Sequence, residues 1–138
     1  MKISARVENT EGNHHVVLTT GDKTHAIQIP PRSTGFGSSA NGGELLFLAL
    51  ATCYCNDIYR EAAKRGMKVE RVEVDVHGEF DAEGAPARRV TYQARVTAKA
   101  SREAIEELMN HTDRVAEIQN TLRVETPVIM GRIEAVIV

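Results

Sequence analysis

The sequence predicts a single α+β domain over residues 1–138, with the element order β-β-β-α-β-β-α-α-β. Residues 1–30 have the pattern of short strands separated by turns. Residues from Glu44 to about Arg65 fit one long helix. A length of 138 residues fits one domain, because a second would be too small to bury a core of its own.

The first thirty residues predict a three-stranded meander. The apolar positions Ile3, Ala5 and Val7 alternate with polar ones, and turn residues follow at 9–13. Gly21-Asp22 predicts the second turn. Pro30-Pro31 ends the meander, since proline has no N–H to donate to a strand ladder.

The predicted long helix follows a loop over residues 32–43 that is rich in Ser and Gly. Such a loop suits the approach to a site, but it also suits a plain connection. Residues 45–51 are apolar all round the helix, which predicts burial on every side. One small sheet could hardly cover such a helix, so we expect it to pack against its twin in a homodimer. Gly66 is a suitable C-terminal cap.

Two strands, two helices and a last strand complete the predicted order. The strands run from Val69 and from Val90 to Ala98, joined by a hairpin connection at residues 81–86. Ser101 is the expected N-cap of the next helix. A short helix is expected over residues 113–123, and a closing strand over residues 127–138.

The charge pattern excludes several partners. The chain has 17 basic and 19 acidic side chains, mixed along the sequence, with a formal net charge of −2. It therefore shows no basic stripe for nucleic acid and no polybasic membrane anchor. The longest apolar stretch, residues 45–51, is far short of the roughly 20 residues of a spanning helix. The N-terminal residues lack an apolar signal-peptide core, so we expect a cytoplasmic protein.

The chemistry-bearing side chains point to a thiol and to no cofactor. Cys53 and Cys55 lie two residues apart on the predicted helix, about 200° around its axis, so a disulfide between them is not expected. The five histidines show no metal-ligand spacing, and Cys53-x-Cys55 on a helix is not a chelating pair. Gly35-Phe36-Gly37 lacks the context of a phosphate loop. We expect no metal and no bound cofactor.

The predicted long helix and the segments after it resemble the OsmC/Ohr family, the osmotically inducible and organic hydroperoxide resistance proteins. The helix has an acidic residue and Leu before a run of small residues that ends in Cys. The later segments match the family's following strand and its C-terminal part. The matching residues are Glu44-Leu45-Leu46, Leu48 to Cys53, Asn56-Asp57-Ile58, Val69 to Gly78, Asn120-Thr121-Leu122 and Pro127-Val128.

The resemblance implies an intertwined α/β homodimer and thiol-dependent reduction of organic hydroperoxides. In that reaction a Cys attacks the peroxide and becomes a sulfenic acid, which a second Cys resolves as a disulfide. Cys53 matches the attacking position, whereas Ala116 stands where the second Cys is expected. The resemblance therefore implies an external thiol or dithiol as reductant, in oxidative-stress defence. The alternative is a non-enzymatic dimer that binds an apolar small molecule beside the helix.

The resemblance also implies an Arg and a Glu that hold the thiolate. Glu44 is the candidate Glu, although it lies one residue later than the family's position and equally suits the first turn of a helix. Arg32 is the first candidate for the Arg and Arg6 the second. Asp57 is interpreted as a structural salt-bridge residue. Cys53 itself is either reactive or an inert buried thiol.

Cys55 is the other thiol of the predicted helix. It is interpreted as a packing residue. A second interpretation is that it acts in place of the absent resolving thiol, through an external partner.

Overall fold

The computed structural model describes all 138 residues, which divide into two units, Met1–Leu46 and Phe47–Val138. The first unit holds a three-stranded sheet and a loop, and the second holds a two-stranded sheet and two helices. The long helix begins in the first unit and continues through the second. The expected single domain over residues 1–138 stays a prediction.

The sheet of the first unit confirms the predicted meander. Strands β1 (Ile3–Thr10), β2 (Asn13–Thr20) and β3 (Lys23–Ile27) are antiparallel and lie in the order β1-β2-β3. Its two turns contain glycines with positive φ, Gly12 at 74° and Gly21 at 61°, a backbone conformation that favours glycine. Short turn sequences therefore position this sheet.

The loop after the sheet is closed by its own backbone. Pro31 and Ser38 form a β-bridge, and the N–H of Arg32 donates to the carbonyl of Gly37 over 3.1 Å. Gly37 has a φ of 97°, and a Cβ there would lie 3.2 Å from Nε of Arg32. Its N–H donates to Oδ1 of Asn9 over 2.9 Å, which ties the loop to β1. Arg32 thus lies in a loop that is closed by backbone hydrogen bonds.

Helix α1 spans Gly42–Lys64 and begins with a reciprocal cap. The N–H of Glu44 donates to Oδ1 of Asn41 over 2.8 Å, and the N–H of Asn41 donates to Oε1 of Glu44 over 2.9 Å. This capping box satisfies two backbone donors that the helix itself leaves unpaired. At the other end, Gly66 has a φ of 63°, as expected for a helix C-cap.

The burial predicted for residues 45–51 is incomplete within the single chain, and its completion by a second copy stays a prediction. Leu50, Tyr54 and Ile58 are buried, but Leu48 is 58% exposed and Tyr59 is 44% exposed. The helix packs against its own chain along one face only. Its opposite face carries large apolar side chains into solvent, so one chain does not supply enough surface to cover it.

The second sheet packs on α1. Strands β4 (Val69–Glu79) and β5 (Arg88–Ala98) are antiparallel neighbours. Their inward side chains contact a core of α1 and α2 residues that comprises Tyr54, Ile58, Ala62 and Leu108. A Cβ at Gly78 would lie 2.6 Å from Cζ of Phe47. Only glycine therefore lets the ring of Phe47 lie against β4.

The C-terminal helices are α2 (Arg102–Val115) and α3 (Glu117–Arg123). Ser101 caps α2 as predicted, because its Oγ accepts the N–H of Ala104 over 3.2 Å. The predicted start of the last helix at Asp113 is wrong. Helix α2 continues to Val115, and the break comes at Ala116, whose backbone is extended with φ −72° and ψ 112°.

The predicted closing strand over residues 127–138 does not form. Residues 125–138 contain neither helix nor strand. Their large apolar side chains are exposed, for example Val128 at 97% and Ile137 at 96%. A strand requires a hydrogen-bonded neighbour, and no other strand of the chain pairs with this segment. The observed order is therefore β-β-β-α-β-β-α-α. None of the helices is long and apolar enough to cross a bilayer.

Candidate functional site

One face of α1 carries three of the four polar side chains of the candidate site. Cys53, Asp57 and Arg60 follow one another at spacings of four and three residues, which places them on the same side of a helix. Asp57 is only 6% exposed, and Cys53 is half-buried. Arg60 reaches over the carboxylate, with Nη1 2.9 Å from Oδ1 of Asp57.

The fourth side chain, Glu117, comes from the start of α3. The extended backbone at Ala116 ends α2 and lets α3 begin with Glu117 in its first turn. Oε1 of Glu117 lies 2.9 Å from Nη1 of Arg60. Ala116 itself is fully buried. The helix break is thus the local feature that brings a second carboxylate to α1.

The thiol of Cys53 lies between the two carboxylates. Its Sγ is 3.5 Å from Oδ2 of Asp57 and 3.7 Å from Oε2 of Glu117. The backbone N–H of Ile118 also donates towards the sulfur. The other oxygen of each carboxylate, Oδ1 of Asp57 and Oε1 of Glu117, forms a salt bridge with Nη1 of Arg60. We call these four side chains, Cys53, Asp57, Arg60 and Glu117, the thiol cluster.

Burial and negative charge raise the pKa of the Cys53 thiol above its ordinary value of 9.0. Removal from water is the largest cause, and the charges of Asp57 and Glu117 act in the same direction. The N–H of Ile118 works against them, because a donor favours the thiolate. The resting side chain is therefore the protonated thiol at neutral pH.

The two carboxylates of the thiol cluster differ in their affinity for a proton. Burial raises the pKa of Asp57, and its hydrogen bond to Glu117 raises it further. The pKa of Glu117 is lowered, first by its own backbone N–H and then by the hydrogen bond to Asp57 and by Arg60. Asp57 therefore binds a proton more readily than Glu117. Glu117 is the carboxylate that stays charged beside Arg60.

Three groups of the thiol cluster also have the spacing of metal ligands. The ligand atoms of Cys53, Asp57 and Glu117 lie within 4.8 Å of one another. Arg60, however, already binds both carboxylates and neutralises the charge that would attract a cation. The expectation that the protein binds no metal and no cofactor stays a prediction.

The side chains proposed from sequence as partners of the thiol have other contacts in this structure. Glu44 caps the N-terminus of α1 together with Asn41. Arg32 lies against Gly37 in the closed loop, and Arg6 lies on β1 opposite Val17. Their roles at the thiol stay predictions. Asp57 does form the predicted salt bridge, and it also contacts the thiol.

Cys55 lies about 200° around α1 from Cys53 and lines a separate open pocket. The pocket has a volume of about 250 Å³ and lies between α1 and β4. Its lining is Ala51, Thr52, Cys55, Asn56, Val72 and Val74. This volume is at the lower limit of small-molecule sites, which begin at roughly 300 Å³.

Arg60 and Glu117 are functional candidates that the sequence did not reveal. Arg60 was within reach of sequence reasoning, because a spacing of seven residues from Cys53 returns to the same helix face. Glu117 was not, because only the break at Ala116 turns it towards α1. The one signal was its position directly after the residue that matches the second cysteine of the resembled family.

A comparison with protein-family descriptions identifies the fold family. The family described as OsmC-like protein matches residues 35–130, which is more than half of the chain. The chain belongs to the OsmC-like family. The match includes α1, the second sheet and both C-terminal helices, and hence all four side chains of the thiol cluster. A comparison with curated proteins finds no match.

Solved structures of OsmC-like proteins have the same fold. An OsmC-like protein of unknown function from Vibrio cholerae superposes with a TM-score of 0.60 and 16% identity, covering 91% of this chain and 95% of that one. An organic hydroperoxide resistance protein from Elizabethkingia anophelis superposes with a TM-score of 0.54 and 18% identity, covering 89% of this chain and 91% of that one. The organic hydroperoxide resistance protein OhrB of Bacillus subtilis superposes with a TM-score of 0.50 and 20% identity, covering 88% of this chain and 89% of that one. At these identities the likeness concerns the OsmC-like fold alone.

Proposed function

We propose that this OsmC-like protein reduces organic hydroperoxides with Cys53 as the attacking thiol. The observation that carries the proposal is the thiol cluster, in which two carboxylates and an arginine surround one half-buried thiol. The sulfur attacks the terminal oxygen of the hydroperoxide, and the O–O bond breaks. Cys53 becomes a sulfenic acid and the substrate leaves as an alcohol.

The environment of Ala116 supports this assignment. In the resembled family a second cysteine resolves the sulfenic acid, and Ala116 matches its position. Ala116 directly precedes Glu117 and Ile118, which both contact Cys53. The position for a resolving thiol therefore lies beside the attacking one, but alanine cannot react. An external thiol or dithiol must return Cys53 to the reduced form, consuming two thiols and releasing water.

The names of two structural neighbours are consistent with this chemistry. The Elizabethkingia anophelis and Bacillus subtilis proteins are organic hydroperoxide resistance proteins. The free state of Cys53 and Cys55 fits a reducing compartment such as the cytoplasm, where external thiols are abundant. The proposed role is defence against oxidised organic molecules.

The decisive experiment measures consumption of cumene hydroperoxide by the pure protein with excess dithiothreitol. Wild-type protein and Cys55→Ser are expected to turn over, while Cys53→Ser is expected to lose turnover completely. The matched pair of serine variants separates the two thiols of one helix. A wild-type protein without turnover would remove the enzyme and leave the alternative, a non-enzymatic protein that binds an apolar small molecule.

The missing resolving thiol gives a second test. Ala116→Cys places a thiol next to Cys53, so one equivalent of hydroperoxide should produce an intramolecular disulfide. Mass spectrometry of the tryptic peptides detects this bond directly. The same substitution in a Cys53→Ser background is the control. Formation of a stable sulfenic acid without the disulfide would contradict the proposed position of Ala116.

We also propose that the chain forms a homodimer through the exposed face of α1. Leu48 and Tyr59 lie on that face at 58% and 44% exposure, and the apolar residues 128–138 are exposed as well. Such surfaces are costly to leave in water. Light scattering should give twice the chain mass of 15.2 kDa, and Leu48→Glu should shift the protein towards monomer. A monomeric wild type would contradict this assembly.

A further inference from the structure

The thiol cluster contains more acid than is needed to hold one thiolate. A single positive group beside Cys53 would stabilise the charged sulfur, whereas two carboxylates disfavour it. Asp57 and Glu117 lie at 3.5 and 3.7 Å from Sγ, on the reacting atom itself. Two acidic groups in that position suit proton transfer better than thiolate stabilisation.

The ion pairs and the burial of the cluster indicate which carboxylate holds a proton most readily. Arg60 supplies one positive charge to the two carboxylates through Nη1, at 2.9 Å from each. Asp57 is only 6% exposed, whereas the side chain of Glu117 is 62% exposed. A second negative charge in this place has no cation to pair with. When the pair binds one proton, the buried Asp57 is therefore the carboxylate that holds it, and the exposed Glu117 is the one that stays charged.

We propose that Asp57, sharing its proton with Glu117, is the general acid that protonates the leaving alkoxide of the hydroperoxide. The inference rests on the proposed hydroperoxide reduction and assigns the proton donor of that reaction. It makes Asp57 a catalytic residue, since its Oδ2 lies 3.5 Å from the sulfur that attacks the peroxide.

The step balances in atoms, protons and electrons. Cys53 loses its thiol proton to the carboxylate pair, which then holds two protons. The thiolate attacks the terminal oxygen, an S–O bond forms, and the O–O electron pair leaves on the alkoxide. Asp57 gives one proton to the alkoxide, so the products are a sulfenic acid and an alcohol. The carboxylate pair again holds one proton.

The leaving group provides the sharpest test, because not every peroxide requires this proton. An alkyl hydroperoxide releases a strongly basic alkoxide, whereas peracetic acid releases a carboxylate that is stable at neutral pH. General-acid assistance is typically worth about 10²–10⁴-fold in rate. Loss of the proton donor should therefore slow the alkyl hydroperoxide selectively.

The experiment follows sulfenic acid formation in single turnovers of Asp57→Asn at pH 7, in a Cys55→Ser background. With tert-butyl hydroperoxide the rate constant is expected to fall by about 10²-fold or more. With peracetic acid, and in alkylation by iodoacetamide, the rate is expected to be unchanged, because neither leaving group needs the proton of Asp57 and Asn keeps the side chain uncharged.

Asp75→Asn, an exposed aspartate on β4, is the matched control and should change none of the rates. Equal losses with the alkyl hydroperoxide and peracetic acid in Asp57→Asn would overturn the general-acid assignment, while hydroperoxide reduction would stand. No reaction of the wild-type protein with either peroxide would instead overturn the proposed function itself. Circular dichroism of each variant confirms that the comparison is made on folded protein.

Discussion

Two buried carboxylates lie one turn apart on α1, and their surroundings give them opposite properties. Asp57 is 6% exposed and Glu61 is 3% exposed, so burial alone does not distinguish them. The difference lies in the groups that face each one. Burial and the neighbouring Glu117 raise the pKa of Asp57, whereas hydrogen bonds from Lys64 and Arg60 lower the pKa of Glu61 to about 2.

Glu61 is surrounded by basic side chains. Lys64 Nζ and Arg60 Nε each lie 3.0 Å from its Oε1, Arg65 Nη1 lies 3.6 Å from Oε2, and His111 Nε2 lies 3.3 Å from Oε2. Arg65 also binds Glu107 of α2 at 3.1 Å. The group therefore stays ionised and links α1 to α2. Its surroundings are those of a structural ion-pair network.

Asp57 has one cation, Arg60, which it shares with Glu117, and it contacts the thiol of Cys53. A carboxylate that is short of positive charge retains a proton, and a retained proton is available for chemistry. Glu61 has several cations for one carboxylate and is structural, whereas Asp57 shares a single cation with Glu117 and is the residue proposed to transfer a proton. Arg60 belongs to both clusters, since Nε faces Glu61 and Nη1 faces the thiol cluster.

The largest effect is expected from Arg60→Gln, which removes the cation common to both clusters. The thiol then lies beside two carboxylates with no positive charge, so its pKa rises further and the rate constant of hydroperoxide reduction at pH 7 should fall by about a hundredfold. Stopped-flow single turnovers measure the rate. Arg60→Lys, which keeps the charge without the fork of the guanidinium, should recover part of it. Full activity in Arg60→Gln would show that the shared cation is not needed.

The next effect concerns stability and separates the two carboxylates. Glu61→Gln removes the carboxylate that Arg60, Lys64, Arg65 and His111 all face, so the urea midpoint at pH 7 should fall clearly. Asp57→Asn replaces a carboxylate that folding disfavours in its charged form, so the midpoint should be unchanged or higher. Equal destabilisation by the two substitutions would contradict the assigned difference.

The smallest effect is the pH dependence of these same stabilities. The pKa of Glu61 is lowered from 4.5 to about 2, so its contribution is present above pH 4.5 and is lost as the pH falls towards 2. The difference between wild type and Glu61→Gln should shrink over that range. For Asp57 the sign is reversed, because a raised pKa favours folding as the pH falls through it. The advantage of Asp57→Asn should therefore vanish in acid. Parallel curves for both variants would disprove this.

The sequence predicted the elements that depend on local pattern. The meander, the Ser101 cap, the long helix and the hairpin of β4 and β5 all follow from alternation, turn residues and capping. Residues 127–138 have the composition of a strand, but a strand also requires a neighbour, which the single chain does not supply. The continuous apolar stretch likewise predicted burial of residues 45–51 on every side, whereas the single chain leaves Leu48 58% exposed.

Of the thiol cluster, the sequence predicted Cys53 as the candidate thiol and Asp57 as a salt-bridge residue. Glu44 was a reasonable partner from its distance along the chain, but its carboxylate is engaged in the capping box with Asn41. Arg60 and Glu117 approach the thiol because helix periodicity and the break at Ala116 bring them there. Sequence spacing along α1 could have identified Arg60. Nothing local indicates that Glu117 meets a helix more than fifty residues earlier.

The most direct test of the account traps the product on the protein. One equivalent of cumene hydroperoxide is added in the presence of dimedone, which reacts with sulfenic acids, and the modified cysteine is located by peptide mass spectrometry. We expect the adduct on Cys53, the thiol of the cluster, and none on Cys55 of the same helix. An adduct on Cys55 alone, or no adduct while the hydroperoxide is consumed, would contradict the assignment of Cys53 as the attacking thiol.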